Sequence, residues 1–208
     1  MECRGEKKRI FIVQNYIVKP ICNLKLLNGQ KIPSDAGGEI TDHYYIFEAI
    51  HKIYKTKSKI ICGSCVAEEF RKLLNLKELP KLFNPLANVN NNKSSPDKMY
   101  NKINNTDNNI KWDSGRLQLY NATMLMICIF PMKSGSLIFE IKEKIEKRKE
   151  LPIEERYVKS VNTIISKFKT TLRREIRNLT PNNNFKTFKF DILINILKNN
   201  NIKQFFED

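Results

Sequence analysis

Apolar and β-branched residues form several short runs in the first third of the chain. Residues 10–18 are rich in Ile, Val, Phe and Tyr and predict a strand, and residues 21–27 continue it after Pro20. Asn28 and Gly29 form the dipeptide that two-residue hairpin turns favour, because both of their positions require positive φ. Residues 30–32 then provide a return strand. The pattern therefore predicts an N-terminal β-hairpin.

Apolar residues after this hairpin recur at helical spacing. His43, Phe47, Ile50 and Tyr54 are separated by four, three and four positions, and Thr41 precedes them as a capping residue. The sequence therefore predicts a helix beginning at Thr41. Beyond it, we expect a short strand at residues 59–61 and a second helix that ends near residue 76.

The last hundred residues carry mainly helical patterns. Residues 116–130 are apolar nearly all round and predict a central buried helix, and residues 137–149 predict an amphipathic one. A long helix is expected over residues 152–179, with Pro152 at its start. Residues 185–190 read as a strand or loop, and residues 191–199 as a last helix.

Asparagine is concentrated between these two regions, at residues 88–111. Such a segment has too few apolar groups to offset the entropy of ordering, so we predict a linker or long loop. The expected organisation is a hairpin/helix unit at residues 1–87, this linker, and a helical unit at residues 112–208. The predicted fold class is α+β, mostly helical.

Two cysteines two residues apart, Cys62 and Cys65, lie between a predicted strand and a helix. This spacing supplies half of a structural zinc site, which needs four ligands in a tetrahedron. Cys22 and His43 are the predicted partners, with Cys3 as a substitute for His43. The order of hairpin, helix, strand and cysteine pair loosely resembles the treble-clef style of zinc module, whose usual first Cys-x-x-Cys is absent here.

The cysteine pair has two other interpretations. Strand, Cys-Gly-Ser-Cys and helix together are similar in local form to the thioredoxin active site, which would make the thiols a redox pair. Alternatively, both thiols are small buried groups at a helix start. A thiol-dependent enzyme would use Cys62 or Cys65 as its thiolate, with His43 or His51 nearby. The thiols therefore leave zinc, redox, enzymatic and structural roles open.

Basic residues outnumber acidic ones, giving a net charge of +15. Lysine, asparagine and isoleucine are all abundant, as an AT-rich genome would produce, so the total alone is weak evidence of function. Clustering is more informative, because residues 156–177 carry seven basic side chains and one acid, and three of them are arginines within five positions. The candidate phosphate-contacting residues are Arg156, Lys159, Lys167, Arg173, Arg174 and Arg177.

The leading functional hypothesis is a non-enzymatic nucleic-acid-binding or regulatory protein that uses this basic helix, with DNA and RNA both possible. An interaction or inhibitor protein that docks its basic face on an acidic protein is the alternative. No apolar run approaches the length of a membrane span, so no membrane partner is expected. Five scattered cysteines do not form a disulfide framework, which predicts a reducing, cytoplasmic location.

Overall fold

The protein has an α+β fold, as the sequence predicts. The computed structural model describes residues 1–87 and 111–208. These residues form two compact units, the first comprising Met1–Asn84 with Phe130–Phe139, and the second Pro85–Ile129 with Glu140–Asp208. The predicted linker at residues 88–111 lies, apart from Lys111, outside the described residues, and the predicted domain boundaries stay a prediction.

Unit 1 is built on a four-stranded sheet in which the strands lie in the order β5 (Lys57–Cys62), β4 (His43–His51), β1 (Tyr16–Lys25) and β6 (Leu82–Phe83). β1, β4 and β5 are antiparallel neighbours, whereas β6 pairs with β1 in parallel. A separate pair, β2 and β3, joins Ile32 to Ile40. The elements of unit 1 are α1 (Glu6–Asn15), β1 (Tyr16–Lys25), β2 (Ile32–Pro33), β3 (Glu39–Ile40), β4 (His43–His51), β5 (Lys57–Cys62), α2 (Ser64–Leu73) and β6 (Leu82–Phe83).

The predicted helix beginning at Thr41 is wrong, because residues 43–51 form the strand β4. The helical pattern rests on the three-residue spacing of Phe47 and Ile50 and takes no account of the residues between them. Tyr44, Ile46, Phe47 and Ala49 are all buried, so this strand is covered on both faces. A strand covered in this way carries a nearly continuous apolar run, which periodicity alone does not separate from a buried helix.

The predicted strand at residues 10–18 is half wrong. Its first part continues the helix α1 as far as Asn15, and only the residues from Tyr16 onward enter β1. Pro20 lies inside β1 next to an irregularity, because the strand register shifts between Pro20 and Cys22, and bulges are among the places where strands accommodate proline.

The predicted hairpin is also wrong in its pairing. Asn28 and Gly29 do form a turn, in which Gln30 N donates to Leu27 O at 3.0 Å and Gly29 has φ +77°. The chain after the turn pairs with β3, however, and the antiparallel partner of β1 is β4. A longer connection therefore replaces the expected tight hairpin.

The core of unit 1 lies between one face of this sheet and its helices. Phe47 on β4 and Phe70 on α2 have ring centroids 5.2 Å apart, and both side chains are fully buried. Ile60 and Cys62 of β5 belong to the same buried cluster. Burying each phenylalanine contributes about 1.5–3 kcal/mol, so this cluster fixes α2 on the sheet.

Unit 2 is helical. The helix at Leu137–Glu146 begins in residues assigned to unit 1, and the other helices from Ser114 onward lie wholly within unit 2. The expected central helix is confirmed, because α3 is buried along most of its length, and it packs against α5 and α7. The helices are α3 (Ser114–Ile129), α4 (Leu137–Glu146), α5 (Glu155–Ser166), α6 (Leu172–Leu179) and α7 (Asp191–Asn199), with a 3-10 turn at Thr180–Asn182.

The predicted long basic helix is interrupted. Its first part ends at Ser166, where Lys169 N donates to Ser166 O at 3.0 Å, and Lys169 adopts φ +57°. α6 then begins after Thr171, whose hydroxyl accepts from Arg174 N. Thr171, which caps α6 after the four turn and bend residues 167–170, explains the break, because its side chain satisfies an N–H group that lacks an acceptor inside the helix.

Candidate functional site

The segment at residues 203–208 lies against α5 and α6 within unit 2. Asn162, buried on α5, donates from Nδ2 to Lys203 O at 2.9 Å and accepts from Phe205 N at 2.8 Å. Leu172 N donates to Phe205 O at 2.9 Å, and Arg173 N donates to Phe206 O at 3.0 Å. The segment is thus held by partly buried side-chain hydrogen bonds and by backbone hydrogen bonds, and it brings two acidic residues, Glu207 and Asp208, to the start of α6.

One of these acids, Asp208, is bound by a hydroxyl and two guanidinium groups, which together form a small anion site. Its carboxylate accepts from Thr171 Oγ1 at 2.7 Å and pairs with Arg177 Nη2 at 2.7 Å and Arg174 Nε at 3.5 Å. Residues three apart project from the same side of a helix, so these three donors converge. The Thr171 hydroxyl and the two guanidinium groups hold the pKa of Asp208 below its usual range.

A groove of about 420 Å³ adjoins this arrangement. Its lining includes three cations, Lys169, Arg174 and Lys203, together with the aromatic ring of Phe205. Lys203 Nζ lies 5.4 Å from the centroid of that ring. Phe205 is partly buried, and cations beside an aromatic ring are the combination with which proteins contact the phosphates and stack on the bases of single-stranded nucleic acids.

Arg173 differs from its neighbours. Its guanidinium donates two hydrogen bonds of 2.7 Å to the carboxylate of Glu207, from Nε and Nη2, and a third of 2.7 Å to Phe188 O. The same group lies 5.4 Å from the centroid of Phe190, and the side chain is 26 % exposed. The pairing with Glu207 raises the pKa of the Arg173 guanidinium. Arg173 is therefore committed to internal contacts.

The other predicted phosphate contacts belong to α5 or to the residue that follows it. Arg156 pairs with Glu154 at 2.5 Å and stacks on Tyr157, with 4.8 Å between guanidinium carbon and ring centroid. Lys159 pairs with Glu155 at 3.2 Å and donates to Asn200 Oδ1 at 2.6 Å. Lys167 is exposed just after the helix. Of the six predicted phosphate-contacting residues, Arg174 and Arg177 are thus the pair that contacts one shared carboxylate, that of Asp208.

The predicted zinc ligands are not gathered together. Cys22 pairs across the sheet with Ile46, whereas Cys62 pairs with Tyr45. Since successive strand residues point to opposite faces, Cys22 and Cys62 lie on opposite faces of the sheet. In the part of the chain that the structure describes, no group of three or more His, Cys, Asp or Glu residues is placed to hold a metal. Zinc binding stays a prediction.

The two cysteines of the pair have different environments. Cys62 is buried beneath α2, and burial raises the pKa of its thiol. A neutral buried thiol is a poor nucleophile, so thiol chemistry at Cys62 is disfavoured. Cys65 is exposed on the first turn of α2, next to Ser64. The hydroxyl of Ser64 lies 2.9 Å from Nε2 of His43, so this histidine contacts a serine.

Several residues of this anion site and its groove are not predicted by the sequence pattern. Thr171, Lys203, Phe205 and Asp208 are brought together over more than thirty positions of sequence, and no local pattern marks them as partners. The sequence feature that points to this site is Thr171, a residue of a type that caps helices, which stands shortly before the arginine cluster and so indicates a helix start there.

Comparison with known proteins identifies the family. Residues 1–203 match the family described as Uncharacterised conserved protein UCP028583, so the chain belongs to that family. No curated protein and no solved structure matches the chain. Over residues 1–87 and 111–208, none of the helices combines the length and the apolar character that crossing a membrane requires.

Proposed function

We propose that this protein binds nucleic acid through the start of α6, with Thr171, Arg174 and Arg177 contacting a backbone phosphate. The observation that carries the proposal is the convergence of these three donors on the single carboxylate of Asp208. Hydroxyl and guanidinium donors are the groups that proteins most often present to phosphate oxygens. In this proposal Asp208 occupies the position that a phosphate takes in the complex.

The internal carboxylate is a weak competitor. The side chains of Arg174 and Arg177 are 59 % and 67 % exposed, and ion pairs at such positions contribute only about 0–1 kcal/mol. A nucleic acid offers further contacts at the same time, to Lys169 and Lys203 in the adjoining groove. Release of counterions from several phosphates adds a favourable term that the single Asp208 carboxylate lacks.

The groove favours a single strand over a duplex. Phe205 lines the groove together with the cations Lys169, Arg174 and Lys203 and the acids Glu207 and Asp208, and a base that stacks on an aromatic ring contributes about 1–3 kcal/mol. Bases paired within a duplex do not present a free face for this contact. We therefore expect single-stranded DNA or RNA to bind more tightly than a duplex of the same length.

A second candidate is binding to an acidic protein surface. The bound Asp208 is itself a carboxylate, so the same donors accept an aspartate or glutamate side chain of a partner. The two candidates separate in a competition experiment. Polyglutamate at equal charge should displace an acidic protein ligand, but it should displace an oligonucleotide poorly because it cannot stack on Phe205.

Fluorescence anisotropy with a labelled single-stranded oligonucleotide tests the proposal, at salt concentrations from about 50 to 200 mM. The variant R174A/R177A should weaken binding at least about tenfold and flatten the slope of log K against log salt by about one to two units. The matched control is K133A/K147A, which removes two exposed cations elsewhere in the chain. This control should change the affinity much less.

Equal losses in the two double variants would show that only net charge matters and would refute the proposed site. Absence of binding by the unaltered protein at low salt would refute nucleic-acid binding altogether.

A further inference from the structure

Three side chains of unit 1 form a relay that the nucleic-acid proposal does not use. The hydroxyl of Ser64 lies 2.9 Å from Nε2 of His43, and Nδ1 of the same ring lies 2.7 Å from Asp42 Oδ2. The other carboxylate oxygen of Asp42 is held by the ammonium group of Lys25. A hydroxyl, an imidazole and a carboxylate are thus joined in the order that serine hydrolases employ.

The strand register explains why these residues meet. Tyr45 pairs with Cys62 across β4 and β5, so an antiparallel continuation places His43 opposite Ser64. Lys25 is the partner of His43 on β1. The backbone hydrogen bond from Leu26 N to Asp42 O, 2.8 Å long, extends this pairing past the end of β4. The relay is therefore positioned by the ends of three neighbouring strands.

The protonation states follow from the partners. Hydrogen bonds from Lys25 and then from His43 hold the pKa of Asp42 below its usual range, so this carboxylate is ionised at neutral pH. An ionised carboxylate only accepts hydrogen bonds, so the neutral His43 ring carries its proton on Nδ1. Nε2 is then the free acceptor, and the Ser64 hydroxyl donates to it. This is the arrangement of a general base on a nucleophilic hydroxyl.

The backbone next to Ser64 supplies the remaining element. Ser64 is the first residue of α2, and the first hydrogen bond of that helix is donated by Ala67 N to Gly63 O at 3.0 Å. N–H groups before this point have no acceptor within the helix, and they carry the positive end of the helix dipole. They are suited to stabilise negative charge on a carbonyl oxygen bound at Ser64.

From this geometry we infer a second activity, acyl transfer to water at Ser64, with His43 as general base and Asp42 and Lys25 as positioning residues. The substrate class is an activated acyl group, an ester or thioester. The site is open on the surface, and Ser64 and Asp42 are both exposed. It therefore takes an acyl group that projects from its carrier and leaves the carrier outside.

The reaction balances without a cofactor. Ser64 Oγ forms a bond to the acyl carbon while its proton passes to His43 Nε2, and the carbonyl π electrons move onto oxygen. Collapse of this intermediate re-forms the C=O bond and expels the alcohol or thiol, which takes the proton from Nε2. Water then attacks the Ser64 ester by the same steps, releasing a carboxylic acid and restoring the serine.

Exposure sets the expected size of each effect. Asp42 is 63 % exposed, so its charge is screened by solvent and supports the imidazolium less than a buried carboxylate would. Removing His43 deletes the base and should cost at least about a hundredfold in rate. Asp42→Asn should cost clearly less, and Asp42→Glu, which restores the carboxylate, should recover most of that loss.

A fluorophosphonate probe tests the inference on the full chain, with peptide mapping by mass spectrometry. Attack by Ser64 Oγ forms an O–P bond and displaces fluoride, and His43 takes the proton. Ser64 should be labelled at least about a hundredfold faster than Ser166, a reference serine in the same sample whose hydroxyl donates to Thr163 O. His43→Gln should remove this advantage.

Two controls complete the experiment. His51→Gln removes the other histidine of the chain, whose Nδ1 accepts from Ile53 N and Tyr54 N, and it should leave the labelling rate unchanged. Cys65→Ala should also leave it unchanged, which excludes the neighbouring thiol as the nucleophile. Thermal melting of every variant verifies folding. Labelling of Ser64 no faster than Ser166, or equal labelling in His43→Gln, would overturn the inference without bearing on nucleic-acid binding.

Discussion

Arg173 and Arg174 are neighbours in sequence, yet their side chains have different roles. Arg173 holds Glu207 through two hydrogen bonds and also donates to the backbone at Phe188. Arg174 is more exposed and makes one long contact with Asp208. The first arginine therefore maintains the structure around α6, and the second is available to a ligand.

Replacement of Arg173 by alanine should lower the free energy of unfolding by about 1–3 kcal/mol, because the partly buried Glu207 and Phe188 carbonyl lose their donor. Arg174→Ala should change the free energy of unfolding by no more than about 0.5 kcal/mol, as substitutions of exposed residues usually do. Urea unfolding of the two variants and of the unaltered protein measures both changes in the free energy of unfolding. A cost for Arg174→Ala equal to that of Arg173→Ala would contradict the division of roles.

Sequence alone identified Arg174 and Arg177 as candidates because they are clustered, but it grouped Arg173 with them. The distinction depends on Glu207, which lies more than thirty positions away and reaches Arg173 only through the fold. Local patterns carry no information about such a partner. The same reason hid the contact of His43 with Ser64, which follows from the pairing of β4 and β5.

Among the helices and strands, α3, α4 and α7 are the most predictable from sequence. The helix α7 has the bounds expected from sequence, and α3 and α4 differ from expectation by at most three residues. Each carries a sustained apolar pattern and a clear end. The strand β4 was mistaken for a helix because burial on both faces removed the alternation that identifies a strand. Apolar periodicity therefore separates a strand from a helix only where one side of the element faces solvent, and the helix α3, which is buried along most of its length, is distinguished instead by the length of its apolar stretch.

The buried thiols of unit 1 make its stability sensitive to alkaline pH. Burial raises the pKa of Cys3 to about 11 and raises that of Cys62 further. An unfolded thiol ionises near pH 8.5, so above that value the unfolded chain binds fewer protons than the folded one. The free energy of unfolding should therefore fall as pH rises from about 8.5 through 11, by up to about 1.4 kcal/mol per pH unit for each thiol.

Urea unfolding of reduced protein at about pH 8 and about pH 10 checks this expectation. Cys62→Ala should show a smaller loss of stability between the two conditions than the unaltered protein. Cys65→Ala, which removes an exposed thiol, should show the same loss as the unaltered protein. An equal loss in Cys62→Ala would mean that the buried thiol does not govern the alkaline decline.

The net charge of +15 for the whole protein overstates the positive charge available at the candidate site. Arg174 and Arg177 share Asp208, and Arg173 and Lys159 each have an acidic partner of their own. Nucleic-acid affinity should accordingly depend on which carboxylates surround the arginines more than on total charge. Composition could not reveal this balance, because the opposing charges meet only in the folded protein.

Substitution of Asp208 by asparagine tests whether its carboxylate occupies the site that a backbone phosphate takes. The change removes the carboxylate that Arg174 and Arg177 share, while the control Glu143→Gln removes a partly exposed carboxylate of α4 that pairs with Lys147. Both variants gain one unit of net positive charge. Anisotropy titrations with the same single-stranded oligonucleotide should show Asp208→Asn binding several-fold more tightly than Glu143→Gln. Equal affinities, or weaker binding by Asp208→Asn, would contradict the claim that Asp208 occupies a phosphate site.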